Sequence, residues 1–311
     1  MGHPSFIERN SPERTALSFY ELLRKEVTTD HPALSREEQS SLRAHYRVMM
    51  NPSQYPVELA ATIYARRRAH PIAAVLGTAS PVVLDAGCGY GSESVLFAAL
   101  GAKVVAVDRS EEQLAVAEKR RRHFEAVLGM PLDLTFVHAN LDDYAPAETS
   151  ITLTWIASVL AAIRDQDSLL RRIQSATRPR GRIILSDMNL WNPLFCLAEF
   201  KRRRDAAARC LEFAEHASFP AMYRRRGRIG ARYWGMAESG TFDDVQFFTP
   251  GSLAALLERV GFTVDSVCYS GLMPPAGPRR FAARLETALS SVPGVRRLGY
   301  FYTVSGMKHD T

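Results

Sequence analysis

Two different spacings of apolar residues divide the chain. Between residues 11 and 70 they recur at helical spacing, behind helix-start signals at Ser11-Pro12, at Ser35 with Glu38, and at Pro56. From residue 81 onward, short runs rich in β-branched residues alternate with helical stretches. That alternation predicts a doubly wound α/β fold with a mostly parallel sheet.

Seven strands are predicted, at residues 82–86, 103–108, 134–139, 151–157, 182–187, 262–270 and 299–307. Helices are predicted after Gly91, from Ser110, near Asp165, between Thr249 and Gly261, and over 278–290. Residues 189–248 interrupt the alternation with a long basic helix near 193–216 and an arginine- and aromatic-rich stretch. We therefore expect a helical N-terminal lid (1–80), an α/β core (81–188 and 249–311) and an inserted helical cap (189–248).

Composition is that of an ordinary globular protein, with 311 residues, 46% of them hydrophobic and 23% charged. No apolar run is long enough for a membrane span and no secretory signal pattern is visible, so we expect a cytoplasmic location. The four cysteines have no C-x-x-C spacing, and neither a metal site nor a disulfide framework is expected. A net charge of +6 would suit an acidic partner, but arginine-rich composition alone accounts for it.

The strongest chemical signal is the loop Asp85-Ala-Gly-Cys-Gly-Tyr-Gly91, between the first strand and its helix. Glycines at alternate positions allow a sharp turn and a close approach of backbone to a ligand. Asp108 ends the second strand, where a carboxylate can accept both hydroxyls of a ribose. Asn140, Leu141 and Asp142 follow the third strand and offer the donors and acceptors that an adenine needs.

These three segments together resemble the class I S-adenosylmethionine-dependent methyltransferases, which are Rossmann-like enzymes. The similarity extends from about residue 80 to the C-terminus, including the Pro-x-Gly turn before Arg182 and the final pair of strands. A dinucleotide-binding dehydrogenase shares the frame, but its G-x-G-x-x-G spacing differs from the G-x-G-x-G found here. The cofactor implied is S-adenosyl-L-methionine.

The resemblance also implies roles for individual residues. The methionine portion would lie against the glycine loop, the ribose at the end of the second strand, the adenine after the third, and the sulfonium beside the backbone of Trp155 to Ser158. The expected cofactor residues are Asp85, Gly87, Cys88, Gly89, Gly91, Asp108, Arg109, Asn140, Leu141, Trp155 and Ser158. Cys88 has no histidine nearby in the sequence and is interpreted as a small residue in a tight turn rather than as a nucleophile.

Two features of the family are missing. The acid that often begins the fourth strand is replaced by Thr149-Ser-Ile-Thr-Leu-Thr-Trp155, and no Asn/Asp-Pro-Pro-aromatic tetrapeptide occurs. The second absence argues against methylation of adenine N6 or of a glutamine amide.

Candidates on the acceptor side lie in and before the insertion. Asp187 and His216 are the candidate catalytic groups, because either could take a proton from an acceptor. The candidate acceptor-binding residues are Asn189, Tyr223, Arg228, Tyr233 and Trp234. Tyr46 and Tyr55 are candidate lid contacts that would exclude water.

The sequence thus predicts a small-molecule methyltransferase that acts by in-line displacement on an oxygen, nitrogen or sulfur of a metabolite or natural product. It is expected to work as a monomer or homodimer without nucleic acid or a membrane span. Two alternatives stay open: a methyltransferase acting on RNA or protein, and a non-catalytic subunit that binds the cofactor.

Overall fold

The structure is a computed structural model that describes residues 11–46, 56–147, 149–189, 192, 231–236, 242–273 and 281–310; for 231–236 and 242–247 only the backbone course is described. Its helices are α1 Pro12–Thr28, α2 Arg36–His45, α3 Val57–Leu76, α4 Ser92–Ala99, α5 Glu111–Leu128, α6 Gln166–Ala176, α7 Pro250–Arg259, α8 Ala282–Ser290 and α9 Pro293–Arg296, with a short 3-10 helix Leu160–Ala162. Its strands are β1 Val82–Ala86, β2 Lys103–Asp108, β3 Leu134–His138, β4 Ile151–Ala157, β5 Thr177–Met188, β6 Ala231–Met236, β7 Phe242–Phe247, β8 Phe262–Ser270 and β9 Phe301–Lys308.

Seven of these strands form one sheet in the order β3-β2-β1-β4-β5-β9-β8. The first five are parallel, and β9 runs antiparallel to both of its neighbours. The predicted mostly parallel sheet with an antiparallel last strand is therefore confirmed. Because the chain moves from β1 outward to β3 and then returns to β4, the strand order reverses between β1 and β4, the point where open α/β sheets bind ligands.

Local sequence explains where most helices begin. Ser11 caps α1 ahead of Pro12, Ser35 and Glu38 form a complete capping box at α2, and Thr249 and Ser252 form another at α7. These side chains accept hydrogen bonds from backbone N–H groups that have no partner within the helix. The helix starts predicted from these signals are confirmed.

Both faces of the sheet are covered by apolar side chains. One cluster joins α1, α3, α4 and α5 to the sheet, and its fully buried members include Phe19, Leu23 and Trp155. The other packs α6 and α7 against the opposite face through residues such as Leu170 and Leu257. The N-terminal helices thus share one hydrophobic core with the sheet.

The structure differs from the sequence prediction at the start of β5. The strand begins at Thr177 rather than 182, and it includes the Pro-x-Gly turn as an irregularity: Ile151 pairs with Thr177, whereas Leu153 pairs with Arg182. Arg180, inside this turn, has a φ of 58°. Proline and glycine usually end a strand, so the sequence alone does not show that the strand pairs with β4 on both sides of this turn.

The insertion contains two strands that the sequence did not predict. The helix predicted near 193–216 lies outside the described residues, and the described part of 189–248 contains the antiparallel strands β6 and β7. Aromatic residues such as Tyr233 and Trp234 are common in strands. The strand β7 lies next to the short 3-10 helix that follows β4.

None of the helices in the described part of the chain combines the length and the apolar character needed to cross a bilayer. The same residues include no group of three His, Cys, Asp or Glu side chains that could hold a metal ion.

Candidate functional site

The glycine loop turns the chain from β1 into α4 at the point where the strand order reverses. Gly87, Gly89 and Gly91 all adopt the left-handed conformation, with φ of 82°, 52° and 73°. Gly91 is the N-cap of α4 and has no side chain that could accept hydrogen bonds from the first N–H groups of that helix. The predicted turn is therefore present, with its backbone facing the carboxyl edge of the sheet.

Two of the glycines also lie where no side chain would fit. A Cβ atom at Gly87 would lie 2.3 Å from Val159 Cγ2, and one at Gly91 would lie 2.9 Å from the Phe136 ring. Val159 belongs to the segment after β4, so the loop lies directly against the end of the neighbouring strand. The close approach of these backbones depends on glycine.

Asp85 ends β1 as a buried carboxyl group. Its Oδ2 accepts a hydrogen bond from Ser94 Oγ at 2.5 Å, and burial raises its pKa to about 7. Ser94 lies in α4, so this bond ties the end of the strand to the helix that follows the loop.

Asp108 connects the second strand to the glycine loop. Its carboxylate accepts the Gly89 N–H at 2.8 Å and the Ser110 N–H at 2.9 Å, one on each oxygen. Each carboxylate oxygen has a further lone-pair site, so Asp108 keeps acceptor capacity for hydroxyl groups. Ser110 separately caps α5 through Gln113, which leaves Asp108 free of that task.

The residues after β3 form the far side of the same edge. Asn140 is exposed, and its Oδ1 accepts the Asp142 N–H at 3.1 Å. Leu141 is buried, and its carbonyl accepts a hydrogen bond from Arg172 in α6. Arg109 is exposed after β2, and its carbonyl lies 3.0 Å from His138 Nε2.

Trp155 and Ser158 differ in what they present at this edge. The Trp155 indole is buried and packs edge-on against Phe97, so any ligand contact of this residue would come from its backbone. Ser158, just after β4, is exposed and has a φ of 59°, which is uncommon for a residue other than glycine. Strained backbone of this kind is often found at ligand sites.

Arg67, which the sequence analysis did not single out, reaches this edge from α3. Its Nε donates to Ser186 Oγ at 3.1 Å, an NH2 group lies 3.5 Å from Ser158 Oγ, and the guanidinium stacks 4.0 Å above the Phe301 ring. Arg67 is only 5% exposed, and it forms no ion pair with any described residue. Burial and the neighbouring Arg68 lower its pKa to about 9.

Nothing in the sequence separates Arg67 from its neighbours, since three consecutive arginines precede Ala69. In the structure Arg68 pairs with Glu93 of α4 at 2.5 and 2.9 Å, whereas Arg66 is more exposed and lies 4.0 Å from Glu286. Only their tertiary neighbours distinguish the three side chains.

Asp187, the predicted catalytic carboxyl group, lies near the end of β5. Its Oδ1 accepts the Met188 N–H at 2.7 Å, and its buried Oδ2 has no hydrogen-bond partner among the described residues. Burial raises its pKa to about 6, against the opposing effects of the Met188 hydrogen bond and the Arg67 charge. A carboxyl group in this setting can change its protonation near neutral pH.

Asn189, a predicted acceptor-binding residue, uses its amide nitrogen within the protein. It is fully buried, and its Nδ2 donates to the carbonyls of Arg297 and Gly299 at 2.8 Å each. Both amide hydrogens are therefore used to hold the chain leaving β5 against the segment before β9. The Asn189 side chain therefore has a structural role, and its contact with the acceptor stays a prediction.

Several other predicted residues lie outside the part of the chain that the structure describes, and Cys88 lies in the glycine loop. His216, Tyr223, Arg228 and Tyr55 lie outside the described residues, and the side chains of Tyr233 and Trp234 are not described. Cys88 is partly buried in the loop and burial raises the pKa of its thiol, which disfavours the reactive thiolate.

The residues at this edge fit S-adenosylmethionine as a ligand. A backbone cradle that excludes side chains suits the methionine portion, Asp108 retains acceptors suited to ribose hydroxyls, and Arg67 is a buried cation without an ion-pair partner in the described part. A carboxylate would compensate that cation, and S-adenosylmethionine carries one.

Comparisons with known proteins show the family of this chain. A model of a methyltransferase domain matches residues 78–241. The ubiquinone biosynthesis O-methyltransferase of Xanthomonas oryzae pv. oryzae (strain PXO99A) is 30% identical over 217 residues, which is 69% of this chain and 76% of the relative. The enzyme of the same name from Xanthomonas axonopodis pv. citri (strain 306) is 28% identical over the same shares of both chains.

Solved structures support the fold. A Listeria monocytogenes protein assigned as an S-adenosylmethionine-dependent methyltransferase has a TM-score of 0.51 at 16% identity, covering 74% of this chain and 92% of its own. A Methanosarcina mazei methyltransferase has a TM-score of 0.50 at 16% identity, covering 75% and 94%. With the matching domain, the relatives and the site geometry taken together, this chain belongs to the methyltransferase-domain family and is an S-adenosylmethionine-dependent methyltransferase.

Proposed function

We propose that this enzyme methylates an oxygen atom of a small-molecule acceptor. The observation that carries the proposal is Asp187, a buried carboxyl group beside Arg67 whose Oδ2 has no partner among the described residues. A hydroxyl acceptor needs a group that takes its proton, and a carboxyl with a pKa of about 6 is ionised and ready to do so at neutral pH. The relatives named ubiquinone biosynthesis O-methyltransferases support an oxygen acceptor.

When bound, S-adenosylmethionine supplies an electrophilic methyl group on its sulfonium. In our proposal Gly87, Gly89 and Gly91 cradle its methionine portion, Asp108 accepts hydrogen bonds from the ribose, and Arg67 pairs with the carboxylate. Asp85, Cys88 and Arg109 complete the loop side of the cofactor site, and Asn140 and Leu141 bound the adenine. The backbone from Trp155 to Ser158 lies between the cofactor and the acceptor.

The protein's main contribution is alignment, because a displacement at carbon needs the acceptor atom in line with the methyl group. Asp187 Oδ2 would hold the acceptor hydroxyl and receive its proton. The predicted division into an N-terminal lid, an α/β core and an inserted cap stays part of this proposal, with the insertion 189–248 as the segment that selects the acceptor.

The direct test is to incubate the purified protein with methyl-labelled S-adenosylmethionine and matched sets of phenols, carboxylic acids, amines and thiols. Mass spectrometry should find the label on oxygen in a small molecule. Label confined to amines, to thiols or to added RNA or protein would contradict the proposal. A short match of 56 residues, 54% identical, to a Streptomyces cypemycin N-terminal methyltransferase makes peptides with a free N-terminus a necessary arm of the set.

A glycine substitution tests the placement of the cofactor. In Gly87→Ala the new Cβ would lie 2.3 Å from Val159 Cγ2, so the loop must shift and affinity for S-adenosylhomocysteine should fall by at least about 10-fold. Isothermal titration calorimetry measures the change. Gly101→Ala is the matched control, because Gly101 has a φ of 94° but open space around it. Equal affinities for both variants would contradict the placement.

Replacing Arg67 tests the carboxylate contact. Loss of a charged hydrogen-bonding partner is worth about 1.5–3 kcal/mol, so Arg67→Met should weaken S-adenosylhomocysteine binding by roughly 10- to 100-fold. The same variant should bind 5′-methylthioadenosine, which lacks the amino-acid portion, as well as the parent does. Arg66→Met, one residue away and more exposed, is the control. A parallel loss for both ligands would refute the carboxylate assignment.

Asp187→Asn tests the proton acceptor. The parent's kcat/KM should fall as the pH drops below about 6, because Asp187 then becomes protonated; the Asn variant should be slower and lack that limb. A pH–rate profile from pH 5 to 8 on an identified acceptor measures this.

The same substitution has a predicted effect on stability. The pKa of Asp187 is raised from 3.8 to about 6, so the folded state holds a proton in that window that the unfolded chain has released. Stability should therefore decline as the pH rises through the window, by about 3 kcal/mol in total. Urea unfolding of Asp187→Asn should lack this decline. Identical pH dependence in parent and variant would mean that the carboxyl is not buried as described.

A further inference from the structure

A buried arginine outside the cofactor site makes contact with the glycine loop from behind. Arg120 lies in α5 and is completely buried. Its NH1 group donates to the carbonyl of Tyr90 and, at 3.0 Å, to Ser92 Oγ. Its Nε and NH2 groups each donate to a different oxygen of Glu26, both at 2.7 Å.

Glu26 belongs to α1, the first helix described, so this ion pair crosses from the N-terminal helices to the core. Burial alone would lower the pKa of Arg120, but the Glu26 carboxylate outweighs it and the pKa is raised. The guanidinium therefore stays charged. The bidentate pair with Glu26 uses two of the five N–H donors of Arg120, and the contacts with Tyr90 and Ser92 use two more. A buried arginine requires its donors to be satisfied in this way.

The bond to Tyr90 determines how one peptide of the loop is oriented. In a trans peptide the carbonyl and the following N–H point in opposite directions. With the Tyr90 carbonyl held by Arg120, the Gly91 N–H points the other way, where it donates to the Cys88 carbonyl at 2.9 Å. Rotation of this peptide would break both bonds and change the path of the chain into α4.

A second contact from the N-terminal segment reaches the same point. The Tyr46 hydroxyl hydrogen-bonds to Ser92 Oγ, at the first residue of α4. Burial raises the pKa of Tyr46 to about 12, so the phenol remains neutral and able to donate. Ser92 thus lies between Arg120 and Tyr46, and two separate parts of the N-terminal segment converge on the helix that follows the glycine loop.

We propose that Arg120 is a positioning residue for cofactor binding: held by Glu26, it fixes the Tyr90–Gly91 peptide and so keeps the glycine loop in its binding conformation. The helix α1 is then part of the cofactor site without touching the ligand. The proposal rests on the placement of the cofactor at the glycine loop. It assigns the loop's conformation to a bond from another helix as well as to its glycines.

The test removes both charges together so that no uncompensated ion is left buried. In Glu26→Met/Arg120→Met the pair is replaced by apolar side chains of similar size, a change that often costs a protein little stability. Calorimetry should show S-adenosylhomocysteine affinity lowered about 10-fold, and kcat at saturating cofactor should stay within about twofold of the parent. Amide hydrogen exchange of Gly91 and Ser92 in cofactor-free protein should become at least about 10-fold faster, while exchange in β4 and β5 stays unchanged.

Two controls separate positioning from general stability. Arg122→Met removes an exposed arginine two residues along α5 and should change neither affinity nor exchange. Asp108→Ala should weaken S-adenosylhomocysteine binding in the same assay, since it removes the proposed ribose contact. If Asp108→Ala acts and the double variant does not, the positioning role is refuted. If neither variant lowers S-adenosylhomocysteine affinity, the placement of the cofactor is wrong. Unchanged amide exchange at Gly91 in the double variant would in that case still overturn the positioning role.

Should the double variant fail to fold, Arg120→Lys replaces it. Lysine keeps the charge beside Glu26 but lacks the fork needed to hold the carboxylate and the Tyr90 carbonyl at once. We expect the affinity for S-adenosylhomocysteine to fall more than about fivefold, while the melting temperature changes by only a few degrees. Full affinity in a folded Arg120→Lys protein would overturn the proposal.

Discussion

The close approach of the glycine loop to the end of β4 is the constraint on which this site depends. Gly87 lies against Val159 with no room for a Cβ atom, and the three glycines of the loop all adopt left-handed backbone. That approach brings the end of β1 and the end of β4 together where the strand order reverses, and it leaves backbone groups rather than side chains facing the ligand. Asp108 secures the arrangement from β2 by accepting the Gly89 N–H.

Around this loop three of the described arginines are buried, and they differ in whether a carboxylate balances their charge. Arg120 is matched by Glu26 with two short hydrogen bonds, and Arg68 is matched by Glu93. Arg67 has no such partner among the described residues, and its pKa is lowered to about 9. A matched buried pair holds structure, whereas an unmatched buried cation favours binding of an anion. Arg120 and Arg68 therefore support the loop, whereas Arg67 is suited to recognise a ligand.

The sequence predicted the parts of the molecule that depend on local chemistry. Ser35 with Glu38 and Thr249 with Pro250 mark helix starts because capping needs only neighbouring residues, and the glycines predicted the sharp turn between β1 and α4 for the same reason. Arg67 could not be chosen from three consecutive arginines, because burial and pairing are set by contacts with α4 and β5. The structural role of Asn189 could not be predicted either, since its amide donates to carbonyls more than a hundred residues away in the chain.

Asp187 and Arg67 affect each other's pKa, and this links the proposed acceptor contact to the proposed cofactor contact. The two groups influence each other without forming an ion pair: Arg67 opposes the rise in the pKa of Asp187, and Asp187 opposes the fall in the pKa of Arg67. A cofactor carboxylate paired with Arg67 would screen that positive charge from Asp187, so the pKa of Asp187 should rise further once the cofactor is bound. A higher pKa makes the Asp187 carboxylate a stronger base but leaves less of it ionised, and a proton acceptor works best when its pKa lies near the working pH. In the proposed arrangement, binding of the methyl donor and the protonation of Asp187 are therefore coupled through a single buried arginine.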